Sequence, residues 1–214
     1  MRRCLTSLGI GVLVVTHGMC CFFSTGALAQ SELCRDYYPT GRIKSEAEIT
    51  DGKKQGIEKQ YYENGALKSH CSYAMDRLDG PAQEYYESGS TSTLTFYKNG
   101  QKDGPAKTFY ESGLLKSETP YANNLIEGIV KAYYPSGRLE SEGIYKKNML
   151  DGSARSYYKS GRLKENCIHR AGTREGPCRS YYESGNLVKE ETWLSGRLNG
   201  SSRDFYESGG IRTE

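Results

Sequence analysis

Residues 109–121 read Phe-Tyr-Glu-Ser-Gly-Leu-Leu-Lys-Ser-Glu-Thr-Pro-Tyr. An aromatic pair runs into Ser112-Gly113, Leu115 follows, and Tyr121 ends the stretch with no helical spacing of apolar residues. Ser-Gly after an aromatic pair is tight-turn chemistry, so the stretch predicts a hairpin with a short strand on each side. Upstream, Lys98-Asn99-Gly100-Gln101-Lys102-Asp103-Gly104 reads as a looser turn leading into the strand that ends at Phe109.

The same unit recurs outward in both directions. The second aromatic of each pair falls at Tyr38, Tyr62, Tyr86, Tyr110, Tyr134, Tyr158, Tyr182 and Tyr206, always 24 residues apart. With that residue as position 24, a glycine recurs at position 3 (Gly41 to Gly209) and another at position 18 (Gly56 to Gly200). Position 5 is mostly Leu or Ile, and position 11 is Tyr73, Tyr97, Tyr121 and Tyr145, with Ile49, His169 and Trp193 as variants. All 18 tyrosines fall on positions 11, 23 or 24. A fixed period of this kind is the signature of a repeat architecture. The fold expected for 30–214 is all-β: an elongated single-layer antiparallel meander of about eight hairpin repeats, or about sixteen strands.

Side chains alternate faces along a strand. A two-residue turn at positions 2 and 3 sets position 24 opposite 5 and 23 opposite 6. A looser turn centred on 14–15 sets 11 opposite the glycine at 18, which would leave room for the ring. Positions 24, 5, 11 and the mostly small position 20 (Ala82, Ala106, Val130, Ala154) then share the core face. The opposite face carries Tyr37, Tyr61, Tyr85, Phe109, Tyr133, Tyr157, Tyr181 and Phe205 at position 23, beside lysines at position 6 and Glu46, Glu118, Glu142 and Glu190 at position 8.

Composition excludes some function classes. Lys+Arg of 29 against Asp+Glu of 26 leaves a small positive excess, most of it Arg2 and Arg3. The remaining chain is close to neutral, which is no nucleic-acid footprint. Aromatics at 11% argue against simple disorder.

Met1-Arg2-Arg3, an uncharged apolar stretch and Ala27-Leu28-Ala29 read as an export signal over 1–29, cleaved between Ala29 and Gln30, with a periplasmic or secreted product. An uncleaved anchor and lipid attachment at Cys20 or Cys21 compete for the same stretch. The Ala-x-Ala end and the interrupting His17 favour cleavage.

Removal of the signal leaves Cys34, Cys71, Cys167 and Cys178, an even number that reads as disulfides before metal. Cys167 at position 9 and Cys178 at position 20 face each other and are expected to bond. Cys34 and Cys71 lie on one row but three strands apart, roughly 14 Å, so their bond requires the first strand to leave the sheet.

The motif Tyr-Tyr-x-Ser/Asn-Gly-x-Leu-Lys-x-Glu-x-x-Tyr, then a turn and Asp/Glu-Gly, resembles the bacterial variant of the MORN repeat over nearly all of 34–214. The resemblance implies hairpins in one layer and no chemistry. Bacterial chains of this type are described as antitoxin-like parts of toxin–antitoxin systems, which implies protein binding.

No catalytic constellation, metal set or cofactor motif is expected. His169 stands where other repeats carry Tyr, and Asp103, Asp151, Glu127 and Glu175 read as turn chemistry before calcium. The partner-binding candidates are Tyr37, Tyr61, Tyr85, Phe109, Tyr133, Tyr157 and Tyr181, as a ridge or as rings stiffened by the position-6 lysine stems. Leu94 and Phe96 join them from the one repeat that breaks the pattern, either as an exposed patch between prolines or bulged back into the core. The partner expected is a protein, not nucleic acid. Contact with cell-wall glycan or lipid head groups is the competing class.

Overall fold

In the computed structural model the described residues are 3–6 and 31–214. The predicted export signal therefore lies, apart from residues 3–6, outside the described residues. Those residues form an open antiparallel sheet: β1 (Arg3–Thr6), β2 (Ser31–Tyr37), β3 (Ile43–Thr50), β4 (Lys53–Tyr61), β5 (Leu67–Ala74), β6 (Arg77–Tyr85), β7 (Thr91–Lys98), β8 (Gln101–Phe109) and β9 (Leu115–Ala122). The sheet continues as β10 (Leu125–Ile126), β11 (Gly128–Tyr133), β12 (Leu139–Lys146), β13 (Met149–Tyr157), β14 (Leu163–Arg170), β15 (Thr173–Tyr181), β16 (Leu187–Leu194), β17 (Arg197–Phe205) and β18 (Ile211–Thr213). β10 and β11 are one strand interrupted at Glu127, so the repeats contribute the expected sixteen strands, each paired with its chain neighbours. β1 is an addition. It pairs antiparallel with β2, Arg3 opposite Arg35.

The two turns exchange the roles read from the sequence. Positions 13–14 form a two-residue turn with φ positive at both residues, as at Asn123-Asn124 and Lys147-Asn148. That is the type I′ geometry that matches strand twist. The turn after the aromatic pair has three residues: the Gly65 amide donates to the Tyr62 carbonyl and the Tyr62 amide to the Ala66 carbonyl, with Gly65 at φ +93°. This is a type I turn closed by a left-handed glycine.

The register shifts accordingly. Across the three-residue turn position 23 faces 5, as Tyr61 faces Leu67, and after a bulge position 22 faces 7. Across the I′ turn position 11 faces 16, as Tyr73 faces Leu78, with a bulge opposite position 10. The position-18 glycine faces the aromatic of the other neighbour, as Gly56 faces Tyr73. Its reason is not ring clearance. Gly152 has φ +137°, and an added Cβ would sit 2.9 Å from the Ile144 Cβ on the opposite face. The bulge demands a backbone that glycine adopts without cost, and the position-10 side chain fills the space.

Burial is confined to a narrow row. Cys34, Ala47, Ile49, Cys167 and Cys178 are the buried apolar side chains, at positions 9, 11 and 20. The expected core face is therefore correct at 11 and 20, centred on 9 and 20, and corrected at position 5, which lies opposite the outer-face aromatic at 23; the position-24 tyrosines are mostly half-buried along its margin.

Candidate functional site: the outer face and its turn ladders

So thin a sheet needs support beyond apolar burial, and two hydrogen-bond ladders along its turns provide it. The Tyr38 hydroxyl donates to the Tyr61 carbonyl at 2.7 Å, and the same bond recurs from Tyr62, Tyr86, Tyr110, Tyr134, Tyr158 and Tyr182 to the position-23 carbonyl of the following repeat. Pairing with the preceding strand ends at position 22, as Gln60 opposite Ser45, so the position-23 carbonyl has no strand partner there and the hydroxyl satisfies it. Each position-6 lysine then lies over a position-24 ring, as Lys116 over Tyr110 at 5.8 Å. The expected pairing of these lysines with the position-23 ring is thus corrected.

At the other row of turns, the position-14 amide donates to the position-16 carbonyl one repeat back, as Asn124 to Lys102 at 2.9 Å. Where position 14 is Asp or Asn its side chain accepts the reciprocal amide: Lys54 to Asp76, Lys102 to Asn124, Ile126 to Asn148. Glu127 and Glu175 accept the amides of Lys147 and Ser195. Those two acids do turn work.

The outer face carries three rows. The first is the half-buried position-23 aromatics, with Tyr37, Tyr61, Tyr85, Phe109, Tyr133, Tyr157 and Tyr181 all on it. Three of them are anchored by position-8 groups. Tyr61 donates to Glu46 at 2.7 Å, Tyr157 to Glu142 at 3.0 Å, and Tyr85 meets His70 Nδ1 at 3.1 Å. Burial, then the Glu46 bond, pushes the Tyr61 phenol up to about 12, and the same bond holds Glu46 below the usual carboxylate range.

The second row pairs position 8 with position 21 across strands. Glu46 lies opposite Lys59, Lys107 opposite Glu118, Glu142 opposite Arg155 and Arg179 opposite Glu190, with ion pairs of 3.8, 3.4, 3.4 and 2.6 Å. Leu94 sits in this row, half-buried and opposite Gln83.

The third row, at positions 10 and 19, was missed. Ile57, Phe96, Ile129 and Ile144 are 46%, 36%, 49% and 39% exposed, with Pro81 opposite Phe96, Pro105 opposite Pro120 and Ile129 opposite Ile144. Reading columns 10 and 19 across repeats, instead of the deviant repeat alone, would have found it. Phe96 is outward and exposed, and the bulge in its strand is the one that other repeats share, so it is not returned to the core.

Cys167 and Cys178 are joined, directly opposite on β14 and β15. Glu165 lies beside them, but with both sulfurs spent on each other the trio is no open ligand set. Cys71 is a free thiol, raised by burial and by Glu58, while Cys34 is held in a disulfide elsewhere. The Cys34–Cys71 bond is therefore not formed, since three strand spacings exceed the roughly 6 Å between Cα atoms of a disulfide. His169 replaces the aromatic opposite Gly152, and burial, with the Arg174 guanidinium nearby, lowers its pKa.

The family described as MORN repeat variant matches residues 54–74, 78–99, 102–123, 126–147 and 174–194, just over half of the chain. The chain belongs to the MORN repeat variant family. No curated protein matches it. The unmatched stretch between 147 and 174 is the MORN unit that carries His169 and Cys167, yet the tyrosine ladder runs through it unbroken from Tyr158 to the Tyr181 carbonyl. MORN units are repeat modules for binding, which directs attention to the face that the ladders hold rigid.

Proposed function

We propose that this chain is an exported, non-catalytic scaffold that holds another protein on the outer face of its sheet, centred on Tyr61, Tyr85 and Phe96. The observation that carries the reading is an aromatic ridge in which Tyr61 and Tyr85 have their hydroxyls tied to position-8 groups, one charged row away from an exposed apolar row that includes Phe96. Tyrosine ridges on rigid frames lose little side-chain entropy on binding and supply large contact area. A toxin neutralised by occlusion is a partner of that kind, and export would place the encounter in the periplasm or outside the cell.

Capture from a native envelope fraction tests the binding. Wild type is expected to recover one stoichiometric protein, and Tyr61→Ser with Tyr85→Ser and Phe96→Ser to lose it while keeping the wild-type circular dichroism. Retention on purified peptidoglycan or anionic vesicles with no protein partner would overturn this reading in favour of surface binding. Export is read separately, as a mature mass that begins at Gln30; a chain retaining residues 1–29 in the membrane fraction discards that part.

A further inference from the structure

The apolar row is continuous where the sheet is central. From β6 to β12 every residue on it is apolar: Pro81, Phe96, Pro105, Pro120, Ile129 and Ile144. Beyond Ser153 it resumes at Ile168 on β14. One sheet layer with an exposed apolar row lacks the second layer that domains of this class use to cover it.

The adjoining charged row indicates what that layer is. Basic or amide residues stand on one strand of each pair and acidic or neutral ones on the next, so sign alternates from strand to strand, β10 and β11 counting as one. Lys107 on β8, Glu118 on β9, Lys131 on β11 and Glu142 on β12 are the central four. A row that alternates in this way is complementary to itself under a two-fold axis lying between neighbouring strands, because each basic strand then faces an acidic one.

We propose that a second copy of this chain packs face to face on this row, about a two-fold axis parallel to the strands and midway between β9 and β11. That axis sets Glu118 over the second copy's Lys131 and Lys107 over its Glu142. The same operation sets Pro120 over the second copy's Ile129, Pro105 over its Ile144 and Pro81 over its Ile168. Charge alternation admits an axis between any two neighbouring strands, and the apolar residues from Pro81 on β6 to Ile168 on β14 centre on the gap between β9 and β11. Stacked sheets keep their strands within about 30° of each other, which a two-fold axis parallel to the strands allows. Strand spacing makes the row from Ile57 to Pro177 roughly 50 Å long, and with its flanking rows it offers about 750 Å² per copy, close to the ~800 Å² per partner of a stable interface.

Sedimentation of the chain over a concentration series tests the proposal. Dimer is expected at about 100 μM or below, with Ile129→Asp and Ile144→Asp each raising the dissociation constant at least ~10-fold at unchanged circular dichroism. Glu118→Lys and Lys131→Glu should each weaken self-association, and an equimolar mixture of the two should restore it, because each then meets its complement across the axis. Wild type that stays monomeric at about 100 μM overturns the proposal, as does a mixture that fails to rescue. Phe96 lies on both surfaces, so the partner and the second copy compete for it, and failure of the dimer leaves the preceding reading standing. Ile129 and Ile144 lie several strands from Tyr61, so partner capture by the monomeric variants separates the two.

Discussion

The hydroxyl of the position-24 tyrosine is the smallest feature on which this sheet depends. It closes a carbonyl just beyond the end of the strand ladder, seven times in succession along the chain. Tyr110→Phe deletes one such bond, at 2.6 Å to the Tyr133 carbonyl, and should cost about 1 kcal/mol in denaturant unfolding. Tyr206, 54% exposed and without such a bond, is the control: Tyr206→Phe should leave the midpoint unchanged. Equal effects at the two sites would show that the bond from the Tyr110 hydroxyl to the Tyr133 carbonyl contributes nothing. Titration gives a second handle at this scale. Glu46 has its pKa lowered in the fold, so its contribution is present at neutral pH and lost as pH falls through the depressed value. Tyr61 is raised, so its contribution is complete below pH 10 and lost as pH rises towards about 12. Phenolate absorbance should therefore show Tyr61 ionising late, and Glu46→Gln should move that ionisation towards the ordinary value; a Tyr61 titration unaffected by Glu46→Gln would contradict the bond.

At the scale of the hairpin, the I′ turns carry a visible sequence defect. Met75 and Lys147 hold φ +49° where their counterparts include Asn99 and Asn123, and Met75 is 67% exposed. A left-handed backbone costs an unbranched side chain more than Asn, whose polar group bonds locally. Met75→Asn is expected to stabilise by about 0.5–1 kcal/mol, read as a rise in the unfolding midpoint, while Asp76 continues to accept the Lys54 amide. A lowered midpoint would mean that the Met75 side chain makes a contact worth more than the turn. The turn assignments themselves show what the linear reading lacked. Asn-Gly and Ser-Gly after the aromatic pair were legible as turn residues, but whether glycine ends a three-residue loop or sits inside a two-residue one depends on which carbonyl its amide reaches. That bond is made across strands, and the pairing register moved with it.

For the whole molecule the consequence is modularity. Each repeat touches only its neighbours, so stability accumulates nearly additively along the array. Deleting residues 135–158 removes one full period and brings Tyr134 into step with the repeat whose position-23 carbonyl belongs to Tyr181. The shortened chain should fold with reduced stability and an unchanged circular dichroism shape, whereas deleting 135–146 alone should abolish cooperative unfolding because it joins unlike turns. Cooperative folding of the twelve-residue deletion would refute the repeat as the unit. Across this scale the period, the strand count and the Cys167–Cys178 pair were readable from residues alone, since a strict interval of 24 fixes how many hairpins form and the two cysteines flank a single turn.

Periodicity therefore decides the architecture here: turn residues at fixed spacing and aromatics in three columns are local quantities, and local quantities survive in a linear chain. Three matters required the folded sheet. The tyrosine hydroxyl ladder joins residues 23 apart through a backbone carbonyl, a group that carries no sequence signal. The glycine at position 18 answers to a bulge on its neighbour, not to the ring that it faces. The apolar row from Pro81 to Ile144 consists of single residues that are unremarkable in each strand and become one surface when register brings them side by side. Register is a property of pairs of strands, which is why the binding face emerges only in the assembled sheet.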